Sequence, residues 1–286
     1  MTRRVWLRAI ALGLLVAGMI AGLTVYFSSE SVPPCLVSGI PTWHPPTDGG
    51  THRYAVVFPD GAACFFDMGD KQRLVGQLRL AEAHDSSTAE PNADLVALRT
   101  ATGPFTLDVR TAKLSKGGLA PFDTGTLTQI DPEHDVMYVT QRGLLGFRVI
   151  DMRRGNTAYV VHFKGFAWNP RFGPNPPSHG LSLAPDRPEL WVLDSPNHAL
   201  HVFDVSAVPA SAPRHVADVR LERTFTGPGS LTRSADGRFL YVGDAGDAID
   251  SQTQKSVANL DALQKSGVVL EVDWVDGRPV FPSFPR

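Results

Sequence analysis

Hydrophobic positions along this chain fall into two regimes. The first is a single unbroken run: no charged residue stands between Ala9 and Phe27, and Arg3, Arg4 and Arg8 precede it. From about residue 36 the pattern changes to short apolar stretches separated by turns of glycine, proline, aspartate and asparagine. Aromatic and β-branched residues fill those stretches, and long helical periodicity is absent after residue 30. Strands are therefore predicted throughout.

One unit recurs: an apolar strand, a short turn, then a second strand ending in or near aspartate. Tyr54–Phe58, the Pro59-Asp60-Gly61 turn and Ala63–Asp67 form the first instance. The second is Leu95–Leu98 followed by Phe105–Val109, and the third Val136–Val139 followed by Leu144–Asp151. Glu189–Leu193 with Leu200–Val205 is the fourth, and Phe239–Val242 with Ala248–Asp250 the fifth. The spacing is roughly 40–50 residues, the period of four-stranded propeller blades. Strands such as Leu190–Leu193 are apolar on both faces, as blades packed between two neighbours require. A leftover hairpin, Val268–Asp273 with Pro279–Phe281, is expected to complete a composite blade with a strand around Leu36–Ile40. The fold expected is thus an all-β propeller of six four-stranded blades, with seven as the alternative, over residues 31–286.

Residues 1–30 are an address. Nineteen uncharged residues at about 1.5 Å each span roughly 28 Å, close to the hydrocarbon thickness of a bilayer. The preceding arginines should stay on the cytoplasmic side, which sends the propeller to the periplasmic or extracellular side of the inner membrane. An uncleaved transmembrane helix and a cleaved signal segment both fit, and the Arg3-Arg4 pair also suits twin-arginine export.

Composition narrows the function classes. With 27 basic and 29 acidic residues the net charge is −2, so no nucleic acid is expected as partner. The two cysteines, Cys35 and Cys64, form no CxxCH and no zinc spacing, which leaves attached c-type haem without a motif and the cofactor unassigned. Outside the cytoplasm a Cys35–Cys64 disulfide is permitted, with two separate thiols as the alternative. There is no Gly-x-Ser-x-Gly elbow, P-loop or HExxH.

The stretch from Gly143 onward resembles the YncE-like (YVTN-type) bacterial β-propellers. The residues that carry this are Ser178–Asp186, Glu189–Asp194, Leu200–Asp204, Ser234–Val242 and Gly246–Asp250. Departures exist: Pro185-Asp186-Arg187-Pro188 lacks the usual glycine, and Gly229-Ser230-Leu231 stands where a tryptophan is expected after glycine. The resemblance implies a ring-shaped binding or scaffold protein and supplies no catalytic residues.

Strands that alternate in direction sort their loops onto two faces. This places Arg142, His179, Asp194, Asn197, Asp244 and Asp247 on one rim, a polar mouth suited to a small ligand, a cation or a protein partner. His179, entering an innermost strand, is the leading candidate, because imidazole among carboxylates can bind a metal or act as a base. Asp67, Asp108, Asp151 and Asp204 are expected to be turn residues, and His134, His201 and His215 surface or packing residues. The function expected is a membrane-anchored binding or interaction scaffold. The alternative is an enzyme using the channel mouth, a metal-assisted lactonase or a quinone-linked oxidoreductase, for which three ligands converging on one point would speak.

Overall fold

The computed structural model describes residues 35–280 except 60, 81–87, 93–94, 101–102, 112, 117–127, 170–176, 226–228, 266–268 and 277. The membrane-anchor expectation therefore lies outside the described residues. Among those described, no helix is long and apolar enough to cross a membrane.

Among the described residues, apart from one 3-10 turn at Asp261–Lys265, the regular structure is strand. The first sheet holds β1 (Thr51–Val57), β2 (Ala62–Asp67) and β3 (Arg73–Arg79). The second is β4 (Thr88–Asn92), β5 (Leu95–Thr100), β6 (Gly103–Asp108) and β7 (Lys113–Lys116). The third is β8 (Thr128–Asp131), β9 (Val136–Val139), β10 (Gly146–Asp151) and β11 (Asn156–His162). The fourth is β12 (Ser178–Leu183), β13 (Glu189–Asp194), β14 (Ala199–Asp204) and β15 (Arg214–Arg220). The fifth is β16 (Ser230–Arg233), β17 (Phe239–Gly243), β18 (Asp247–Asp250) and β19 (Lys255–Asn259). Finally β20 (Val269–Val275) and β21 (Arg278–Val280) return to the first sheet, giving the order β21-β20-β1-β2-β3.

Every sheet is an antiparallel meander, and the first is closed by strands from both ends of the described chain. This is a β-propeller of several blades. Five sheets are found among the described residues, not six or seven blades. The reason is the C-terminal hairpin: β20 pairs along the whole of β1, from Thr51↔Val275 to Val57↔Val269. It completes the first sheet and starts no other. The segment around Leu36–Ile40 lies at the opposite edge, where the Gln77 side-chain amide donates to the carbonyls of Val37 and Ile40.

Alternation along each strand explains why both faces are apolar. In β13, Leu190 and Val192 pack toward the third sheet with Val136, Tyr138, Phe147 and Val149. Trp191 and Leu193 point the other way, into a cluster with Leu231, Leu240, Val242 and Ile249 of the fifth sheet. In β1, Tyr54 and Val56 join Leu107 and Val109 of the second sheet, while Ala55 and Val57 join Phe239, Tyr241 and Ala248 of the fifth. The first strand β12 touches both β8 and β16, whereas β11 and β15 are largely exposed and β19 partly so.

A repeated device ends the last strand but one of each sheet. Asp67, Asp108, Asp151, Asp204 and Asp250 each accept backbone N–H groups from the turn that follows, at 2.8–3.2 Å. A short carboxylate satisfies donors that the ladder has just released. Cys35 and Cys64 are joined by a disulfide, both ends buried, which ties the chain ahead of β1 to β2.

Candidate functional site

The residues expected at the mouth separate into distinct arrangements. His179, the second residue of β12, places Nδ1 2.7 Å from the Gly229 carbonyl oxygen. The Gly229 N–H donates to Asp244 Oδ2 at 3.0 Å, so the backbone of one residue links this histidine and this aspartate. Gly229 has φ +79°, and a Cβ there would lie 2.7 Å from Leu193 and 2.8 Å from Phe225, so a larger residue would be strained and would displace those side chains. Burial pushes the Asp244 carboxyl up, while the Gly229 N–H and His179 act the other way. Asp247 is fully buried and accepts from the Glu222 N–H at 3.3 Å and the Ser256 hydroxyl at 3.2 Å. Burial raises its carboxyl as well. Arg142 lies exposed in the turn between β9 and β10.

Asp194 does not face an open mouth. It is fully buried, and its oxygens take the Asn197 backbone N–H at 3.2 Å and the Asn197 side-chain amide at 3.0 and 2.9 Å. Its Oδ2 also lies 3.1 Å from His201 Nε2. From His201 the chain of contacts runs outward. Nδ1 of the same ring is 2.6 Å from Asp218 Oδ1, and His215 Nε2 is 2.7 Å from that same oxygen.

Local strand geometry builds this relay. Opposite β14, His201 pairs with Asp218 and Phe203 with His215, and the register slips by one residue at Val202/Phe203. In a regular strand, positions 215 and 218 would point to opposite faces. The bulge turns both side chains to the face that carries His201. His201 itself is 1% exposed and held by rings, with the Phe163 centroid at 4.0 Å and Phe166 at 4.6 Å. His215 and Asp218 reach solvent. Burial raises the Asp218 carboxyl, but hydrogen bonds from His201 and His215 outweigh it and leave the group below its usual range.

A pocket of about 180 Å³ opens beside this relay. His201, Phe203, Pro213 and His215 of the fourth sheet form one wall, and β11 with the residues after it (His162, Phe163, Lys164 and Phe166) forms the other. His201, His215 and Asp218 are the group of three metal-capable side chains found among the described residues. His215 is a surface residue and His201 a packed one, as expected from the sequence, but the two share Asp218 as a partner, which the spacing does not suggest. The signals were a histidine inside an otherwise apolar strand, Ala199–Asp204, and a histidine and aspartate on the next strand. Their shared face depends on a bulge that spacing does not reveal.

No known family model matches the chain, and no curated protein does. Solved structures do. Hydrazine synthase of Kuenenia stuttgartiensis aligns at 18% identity and TM-score 0.37, over 62% of this chain and 49% of that one. Dihydro-heme d1 dehydrogenase NirN, in complex with DHE, aligns at 14% identity and TM-score 0.34, over 87% and 57%. The β-propeller domain of Cps50 (Swd1) from Myceliophteria thermophila aligns at 15% and 0.32, over 61% and 55%. The chain spans less than two thirds of the length of each. Likeness this distant says nothing about the site, and the propeller assignment rests on the sheet order and packing described above.

Proposed function

We propose that the protein is a binding β-propeller of the YncE-like kind, displayed outside the cytoplasmic membrane on the 9–27 segment, with a small ligand taken into the pocket between its third and fourth sheets. The observation that carries binding is His201, an almost fully buried imidazole gripped by two carboxylates on the wall of an aromatic hollow. The fold does not ask for it. Three positions before the terminal aspartate of the last strand but one, the other sheets carry Cys64, Phe105, Arg148 and Asp247. A buried histidine with both nitrogens engaged costs desolvation that packing alone would avoid.

The pocket sets the ligand's size and character. Its volume is below the roughly 300–1,000 Å³ of sites for drug-sized molecules, so the occupant has few heavy atoms. Phe163, Phe166 and Phe203 suit an apolar body, while Lys164, His162 and His215 favour an anionic group such as a carboxylate. The buried Cys35–Cys64 disulfide supports the oxidising side of the membrane, in agreement with the arginines ahead of the apolar run.

Two experiments test this. Full-length protein in detergent is screened by thermal shift with small aromatic and aliphatic carboxylates. At least one should bind saturably and be weakened tenfold or more in Phe166→Ala. A screen without hits, or hits indifferent to Phe166→Ala, rules out the pocket. A C-terminal reporter fusion active only in the cytoplasm rules out the topology.

A further inference from the structure

We infer that His201, His215 and Asp218 form a binding site for a divalent transition-metal ion at the base of this pocket; the inference deepens the pocket reading and rests on it. One donor atom from each residue lies within 4.8 Å of the other two. Two imidazoles and one carboxylate are the ligand types of zinc, cobalt, nickel and ferrous iron, whereas calcium and magnesium take oxygen.

The surroundings are those of a prepared site. With Nε2–H of His201 given to the Asp194 carboxylate, Nδ1 presents a lone pair toward Asp218 Oδ1, 2.6 Å away. In that tautomer two acceptors face each other, an arrangement that either a proton on Nδ1 or a metal ion bound by both groups satisfies. Asp194 is in turn fixed by Asn197, so the far side of the histidine is held by a carboxylate that is itself held. Such carboxylate–histidine–metal chains orient the ring and raise its basicity. Phe163 and Phe166 lock the same imidazole by packing.

The bulge between β14 and β15 recurs at the matching place in the first, third and fifth sheets and so belongs to the fold, but in this sheet the residues it brings to one face are His215 and Asp218. Ligands about 2.0–2.1 Å from a tetrahedral ion stand about 3.4 Å apart. The contacts of 2.6 and 2.7 Å would widen by under about 1 Å, and His215 and Asp218 are exposed and able to move. Their exposure also gives the ion its route in. His201 and His215 both line the pocket, so an anionic ligand held there would lie beside the ion and could complete its coordination.

The test uses full-length protein purified without a polyhistidine tag, stripped with chelator and titrated with Co²⁺. Visible absorption reports coordination, and Zn²⁺ competition reports affinity. One equivalent is expected, with Zn²⁺ displacing Co²⁺. His215→Ala and Asp218→Asn should weaken binding at least 100-fold. Asp194→Asn, a positioning change, should weaken it about 10–100-fold while the cobalt spectrum keeps its form. His134→Ala, a histidine paired with Asp131 in the third sheet, should change nothing. Circular dichroism confirms folding, and His215→Ala on an exposed strand decides the matter if Asp218→Asn misfolds. Absence of saturable Co²⁺ and Zn²⁺ binding, or binding undiminished in His215→Ala, overturns the inference. If carboxylate binding still depends on Phe166 in that case, the pocket reading survives and only the metal falls. Metal binding without any carboxylate ligand upholds the metal site and removes the small-ligand reading.

Discussion

Asp194 and His201 meet inside the fourth sheet, Oδ2 to Nε2 at 3.1 Å, with exposures of 0% and 1%. They come from neighbouring strands: Asp194 pairs with Ala199, which leaves His201 diagonally across, two residues along β14. A diagonal pair on one face is within reach of side chains this long. The turn between them, Ser195–His198, is closed by the same carboxylate through Asn197. One residue thus ends a strand, shapes a turn and orients the histidine on the pocket wall.

Asp194→Ala should cost about 3 kcal/mol, because it leaves both the Asn197 amide and a buried imidazole nitrogen without their acceptor. Asn197→Ala removes only the amide and should cost about 1 kcal/mol. Urea midpoints compare the two. Equal losses would mean that Asp194 only braces the turn and contributes nothing through His201.

Much of the fold was legible in the sequence because it depends on local alternation. Trp191 in Glu189–Asp194 already read as buried on a two-faced strand, and the terminal aspartates already read as turn residues. The number of sheets is not legible, because pairing between β1 and β20 is a contact between distant segments with no local signature. The site was less legible still. His201, His215 and Asp218 converge through a register slip, and strand parity without that slip separates them. His179 does enter an innermost strand, but its ring reaches the Gly229 carbonyl across to the next sheet.

Trp191→Ala should cost about 3–5 kcal/mol, the range for emptying a large aromatic site in a packed core. The ring is fully buried between the fourth and fifth sheets, and Arg233 stands over it at 5.7 Å. Its Nε1–H donates to Glu189 at 3.2 Å. Trp191→Phe should lose less than half as much. A denaturation midpoint unmoved by Trp191→Ala would show that the two sheets do not pack there.

Asp250→Ala tests the terminal aspartates through pH. Burial pushes this carboxyl up, but hydrogen bonds from Thr253 and Gln252 outweigh it, so the folded pKa lies below the usual range. Its stabilisation is therefore present above the unfolded value of about 3.9 and is lost as pH falls through the folded value. At pH 7 the variant should be about 1–2 kcal/mol less stable than the native chain. Melting curves from pH 7 down to about pH 2 should show the gap closing in the acid range. A gap that stays constant would mean that ionisation of Asp250 is irrelevant to the turn.

Arg53 holds the seam where the two ends of the chain share a sheet. From β1 it reaches Glu271 and Asp273 (3.3 Å) on β20, and Asp236 (2.7 Å) in the turn between β16 and β17 of the neighbouring sheet. Glu271 is 3% exposed and also accepts the Ala235 N–H at 2.6 Å. Removing the guanidinium leaves that carboxylate buried and unpaired. Arg53→Met should cost about 3 kcal/mol, the low end for breaking a buried pair, because Arg53 is itself partly exposed. Arg53→Met combined with Glu271→Leu should recover most of the loss, since an apolar replacement leaves no stranded charge. The sign of the pH dependence follows from Glu271. Burial already raises its carboxyl against the pull of Ala235 and Arg53, and losing Arg53 raises it further. A carboxyl raised on folding favours the folded state below its unfolded pKa and loses that advantage as pH rises. The cost of Arg53→Met should therefore be smallest near pH 4 and largest at neutral pH, and it should persist in 1 M salt because Glu271 is shielded from solvent. A variant as stable as the native chain at pH 7 would mean that hydrogen bonds between β1 and β20 close the sheet without this contact.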